Sequence, residues 1–280
     1  PGMRSNIDVN GINELLGPSG GSKLVARNAE AAIKVETGMK GVKIMNLMVS
    51  GGTEAKNIGI HFVGATDNGM LSNIIGINLH TGVKIEQAKN MQIVNCWVCE
   101  LPNSIELIGG ENVVVKNCQL GAQPTGITCK VQEVNKLSFI NNQVYPDGRE
   151  NLVLDACNNC VIEGNNFKSY YNGILVLNGN DNTVNKNIFW LTGAVQNQLL
   201  DHGDDFGIIN VKGNNNMVAS NSLSCEWAYA GAVTVNAVQG TGNVFKNCFV
   251  DNLESYRVFL VNAQTEVSNC VSSDKVSIVE

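Results

Sequence analysis

The sequence predicts an all-β fold, a right-handed parallel β-helix of about ten stacked coils, from its composition and two recurring strand patterns. Hydrophobic residues make up 44% of the 280 residues and charged residues only 16%. Gly, Asn, Val and Ile dominate, with 5 Pro. Such a mix suits short strands joined by tight turns, where Asn and Gly accept left-handed backbone. Long helices draw more heavily on Ala, Glu, Lys and Leu.

The first pattern is six residues long: apolar, two variable, Asn or Cys, one variable, apolar. It reads Ile93 to Val98, Val115 to Leu120, Phe139 to Val144, Ile162 to Phe167, Val184 to Phe189, Val218 to Leu223 and Val244 to Phe249. Its fourth position holds Cys96, Cys118, Asn142, Asn165, Asn187, Asn221 and Asn247, at spacings of 22, 24, 23, 22, 34 and 26. A period of about 22–24 residues accommodates three short strands and three turns per coil. Identical inward Asn side chains can bond to one another along the stack, and a buried amide needs such partners.

The second pattern is a strand about ten residues after each fourth position, as in Ile105 to Leu107, Leu152 to Leu154, Ile174 to Val176, Ile208 to Asn210 and Val258 to Leu260. With its outer positions facing the core, the middle one points outward. There it places Glu106, Val153, Leu175, Ile209 and Phe259. An apolar outer column needs a cover, and a three-fold ring of copies supplies one, so a homotrimer is expected. Residues 1–280 read as a single domain with a loop insertion at about 191–206.

Charge excludes several function classes. The net charge is −6 and the pI about 5.2, without the clustered Lys and Arg of a nucleic-acid footprint. No apolar run reaches the roughly 18–20 residues of a membrane span, so neither nucleic acid nor membrane is expected as a partner. The nine cysteines are odd in number and sit in strand-like runs, which reads as buried thiols rather than a disulfide framework. No HExxH, EF-hand or phosphate-loop pattern occurs, and neither a metal nor a cofactor is expected.

Candidate chemistry rests on acids. Glycosyl transfer needs a proton donor for the leaving oxygen and a carboxylate for an oxocarbenium-like centre. Glu106, outward between core residues, suits the donor role. The insertion carries Asp201, His202, Asp204 and Asp205, the densest ionisable group in the chain. Of these, His202, Asp204 and Asp205 are candidate substrate-binding residues, because insertions in solenoids cluster on the binding face. His61 and His80 read as structural.

Several stretches carry a family resemblance: Asn117 to Gly126 (NCQLGAQPTG), Cys157 to Cys160 (CNNC), Asn178-Gly179, and Asp204 to Ile209 (DDFGII). The chain resembles the inulin fructotransferase (inulin lyase) family from about Met3 to about residue 265. This resemblance implies a trimeric β-helix with sites between subunits, a fructan or oligosaccharide substrate and no cofactor. It also implies a secreted location and an N-terminal segment absent from this chain. The implied reaction is intramolecular fructosyl transfer on inulin releasing a difructose dianhydride, or hydrolysis of that dianhydride. The alternative is a non-catalytic glycan-binding or structural trimer. Of the two family carboxylates, the Glu falls on Glu106 and the Asp on Asn95, which cannot ionise. Glu100, Asp204 or Asp205 would then supply the missing charge.

Overall fold

The computed structural model describes residues 7–9, 12–15, 22–26, 30–52, 56–192, 206–225, 233–252, 257–271 and 276–279. It is an all-β right-handed parallel β-helix of about nine turns. Each full coil has a first face such as Gln92–Val94, a second such as residues 97–99, and a third such as residues 104–108. Strands pair in parallel with the coils above and below, so Glu106 lies between Lys84 and Lys130, and Trp97 between Ile75 and Gln119. Two antiparallel pairings, Ile7–Val9 with Ala31–Val35 and Ile12–Leu15 with Ser22–Val25, stand at the N-terminal end.

The corner between the first and second faces repeats one backbone state. Asn46, Asn73, Asn95, Asn117 and Asn141 all have φ between 53° and 56°, and Gly164, Lys186, Ser220, Asn247 and Asn269 continue the column at φ 53–69°. A short amide side chain tolerates this left-handed region better than most residues. Each such corner residue turns the next one inward, into the ladder slot.

The ladder is built of bonds that run up the stack. The backbone N–H of Cys96 donates to Cys118 Sγ (3.4 Å), and that of Cys118 to Asn142 Oδ1 (2.9 Å). Asn142, Asn165 and Asn187 each donate N–H to the oxygen of the next Asn at 2.8–2.9 Å. Their Nδ2 groups donate to that same oxygen and to a carbonyl of the coil below, as Asn165 does to Phe139 (2.8 Å). Every amide is thereby satisfied inside an apolar core. One expected position moves: Val218 pairs with Phe245, which puts Cys248 rather than Asn247 in the slot. The Val244–Lys246 coil is one residue out of step with the six-residue pattern, and Asn247 is a corner residue.

A second inward ladder, unforeseen from the sequence, crosses the third-to-first corner through Cys160, Asn182, Asn216 and Asn243. Beside the first ladder, Phe139, Phe167 and Phe189 stack at centroid distances of 6.0 and 5.0 Å. Offset stacking of this kind adds to simple burial. The eight cysteines whose side chains are described, Cys225 apart, are free and buried, as the strand pattern implies.

The expected apolar outer column is corrected by the strand register. Leu152 pairs with Leu175, Leu175 with Ile209, and Val235 with Phe259, so Leu175, Ile209 and Phe259 point inward and are fully buried. Only Val153 of the four faces out, half-buried. Reading those triplets one residue early reversed their faces, because side-chain direction alternates along a strand.

Asn165→Ala should cost about 2–4 kcal/mol, because it orphans the Asn142 N–H and the Phe139 carbonyl inside the core. Urea unfolding of the two proteins measures this directly.

Candidate functional site

The third face carries the charge. Its outward column, in register from coil to coil, runs Lys34, His61, Lys84, Glu106, Lys130, Val153 and Val176. Alternation explains it: Ile105 and Leu107 point inward at 1% exposure, and Glu106 between them is half-buried and outward. The lysines above and below it are one rung away, about 4.7–4.9 Å along the stack.

A second carboxylate shares this surface. Glu86 follows Lys84 by two residues and therefore points the same way, in register with Ile108 and so diagonal to Glu106. Lys84 Nζ sits 3.0 Å and His61 Nε2 3.2 Å from Glu86 Oε1. Burial opposes ionisation of Glu86, but the hydrogen bonds and charges of Lys84 and His61 outweigh it and hold the carboxyl below the ordinary glutamate range. His61 is 5% exposed, and its Nδ1 has no hydrogen-bond partner. It belongs to the charged network rather than to structure alone. The sequence pattern does not single out Glu86, because Lys84 is the residue one period back from Glu106 and Glu86 is reached only along the diagonal.

The other sequence-derived candidates do not join this cluster. Asn95 is an exposed corner residue between the first and second faces at φ 56°, with the whole second face between it and Glu106. Its amide is accounted for by the left-handed column to which it belongs. Glu100 is exposed at the next corner at φ 62°, and its carbonyl accepts a bond from Gln123 Nε2 (3.1 Å). His202, Asp204 and Asp205, with most of the insertion, lie outside the described residues.

The second face has a different character. Its outward register runs Ile75, Trp97, Gln119, Gln143, Asn166, Ile188, Ser222 and Phe249, with no formal charge. Beside it, Tyr145 donates its hydroxyl to Gln119 Oε1 (3.0 Å), and the Lys168 ammonium lies 4.7 Å from the centre of the Trp190 ring. At the adjoining corner Glu150 is pushed up by burial, against the opposing charge of Arg149 at 3.9 Å.

The description "right handed beta helix region" matches residues 125–278, more than half the chain. The chain belongs to the right-handed β-helix family. Among solved structures this β-helix is similar to DFA-IIIase from Arthrobacter chlorophenolicus A6 without its lid: 20% identity, TM-score 0.76, covering 90% of this chain and 69% of that one. A mutant of the same enzyme in complex with DFA-III gives 18% identity, TM-score 0.77 and coverages of 93% and 74%. The tailspike protein gp49 from Pseudomonas phage LKA1 is also similar, at 14% identity, TM-score 0.60 and coverages of 89% and 47%. No curated protein sequence matches this β-helix.

Glu86 has a pH signature. Its folded pKa lies below that of an ordinary glutamate, so the stability it contributes is present above the ordinary value and drains away as the pH falls through its own, lower one. Glu86→Gln should therefore melt below wild type at pH 7, with the gap closing at acidic pH. Thermal melts across that range check it.

Proposed function

We propose that this β-helix is a carbohydrate-active enzyme of the inulin fructotransferase type, acting on an inulin-type fructan or a difructose dianhydride. The observation that carries the reading is the pairing of Glu106 with Glu86 on one outward face. Glu106 protonates the departing glycosidic oxygen. Glu86, kept ionised by Lys84 and His61, faces the oxocarbenium-like centre or takes the proton of the attacking hydroxyl. In dianhydride hydrolysis the attacker is water; in dianhydride formation it is a hydroxyl of the neighbouring fructosyl unit. Lys84 and Lys130, one rung either side of Glu106, are placed to bond sugar hydroxyls.

The fold likeness to DFA-IIIase, a mutant of which is solved in complex with DFA-III, supports this substrate class. A homotrimer with sites between subunits remains part of the proposal, with the charged third face at the junction. In that arrangement Asn95 has no acid–base role, and Glu86 stands in for the missing aspartate.

The second reading is a non-catalytic glycan-binding or structural trimer. It draws on the in-register bracketing of Glu106 by Lys84 and Lys130, an arrangement that also serves a purely structural charge ladder. The likeness to a phage tailspike is compatible with it.

Incubation with inulin and with difructose dianhydrides, followed by product chromatography, separates the two. Wild type should turn over at least one of them, and Glu106→Gln should lose roughly 10²–10⁴-fold in rate. Turnover that Glu106→Gln leaves intact removes Glu106 from the mechanism; no turnover by wild type leaves the non-catalytic reading.

A further inference from the structure

We infer that the second face holds a glycan-binding track, separate from Glu106, that grips a neutral oligosaccharide lying along the solenoid axis. It rests on the fructan reading above only for its choice of sugar. Three features of the face argue for it.

The first is charge. Eight successive outward positions in one register, from Ile75 to Phe249, carry none. The third face concentrates five ionisable side chains in the same kind of column. The column can meet a neutral partner without stranding a charge, while Lys168 and Asp251 stand in the neighbouring outward column of the same face.

The second is the alternation of chemistry along the column. Gln119, Gln143 and Asn166 form an amide stretch of three consecutive rungs. Apolar groups stand at both ends, with Ile188 49% and Phe249 50% exposed on one side and Trp97 on the other. Sugar rings present the same two chemistries, C–H patches and hydroxyls in close alternation. Amides donate and accept, so they suit hydroxyls in any orientation. Asn166 Oδ1 has no hydrogen-bond partner in the free protein, and a hydroxyl donor supplies one once the side chain turns to meet it.

The third is the aromatic edge. Trp190 is outward and half-buried beside Ile188, with Lys168 against its ring. Tyr145 lies down across the face to reach Gln119. Gly121 permits this, because a Cβ there would stand 3.0 Å from Tyr145 Cβ. Tyr145, Lys168 and Trp190 occupy successive rungs over about 10 Å, so two rings with a lysine between them flank the amide column. Ring faces of this kind stack against sugar C–H bonds, and few exposed hydrophobic surfaces need such ordered amide neighbours. The track and the charged third face meet at the corner that bears Glu150.

Isothermal titration with a linear fructo-oligosaccharide long enough to cover three rungs, about 14 Å, tests the track. It uses wild type, Trp190→Ala and Tyr145→Ala, each checked for an unchanged melting temperature. Wild type should bind, while Trp190→Ala should bind about tenfold more weakly and Trp190→Phe should recover most of the loss. Tyr145→Ala reports on the same edge should Trp190→Ala fail to fold. Wild-type affinity in both edge variants overturns the track, as does no binding by wild type. The turnover assay on Glu106→Gln is read separately, so the catalytic reading and the track can fail independently.

Discussion

Every coil here depends on a side chain being matched by its counterpart one rung away. A parallel β-helix has no turn-by-turn closure of its own; what locks the coils in register is that an inward polar group finds its partner only in the identical slot above or below. Asn165 shows the constraint in full. It accepts from Asn142, donates to Asn187 and reaches down to the Phe139 carbonyl, so shifting any one coil by a residue would strand several buried groups at once. The Cys96 and Cys118 slots relax it only by using thiols, which still accept or donate weakly.

That internal strictness leaves the outside free. Outward positions are tied to their neighbours by register alone, and this chain uses the freedom differently on two faces. The third face gathers lysines, a histidine and two glutamates, where field and hydrogen bonding hold Glu86 ionised. The second face keeps one outward column free of charge and gathers amides and rings, with Lys168 and Asp251 in the column beside it. One scaffold thus offers a place for proton transfer and a place for grip without either compromising the core.

Much of the fold was legible because the inward ladder imposes a repeat that composition cannot hide. Asn142, Asn165, Asn187 and Asn221 announce the coil period, and the spacing of 34 before Asn221 announces the insertion. Where the sequence pattern misleads, the cause is the strict alternation of strand faces. A one-residue slip at Ile174, Ile208 and Val258 turned core residues into an apparent outer column, and at Asn247 it exchanged a corner for a slot. Glu106 was found because it interrupts an apolar triplet. Glu86 was passed over because its partnership runs diagonally between coils, and no linear pattern connects residues 20 apart on neighbouring rungs. The second Asn ladder escaped because its amides fill only three consecutive slots, Asn182, Asn216 and Asn243, after Val113, Leu137 and Cys160 in the same column.

The left-handed corner column has a consequence for how such a protein can change over time. Asn and Asp are the side chains that best tolerate this backbone state. At Asn95 they differ by a single group exposed to water, with no ladder bond at stake. A carboxylate can therefore be gained or lost at Asn95 at almost no conformational cost, whereas at Asn73 it would break the bond that Nδ2 donates to Asn46 Oδ1 (2.9 Å). The coil architecture shields its own folding from experiments in surface chemistry, and lineages built on it are free to explore new reactions one corner at a time.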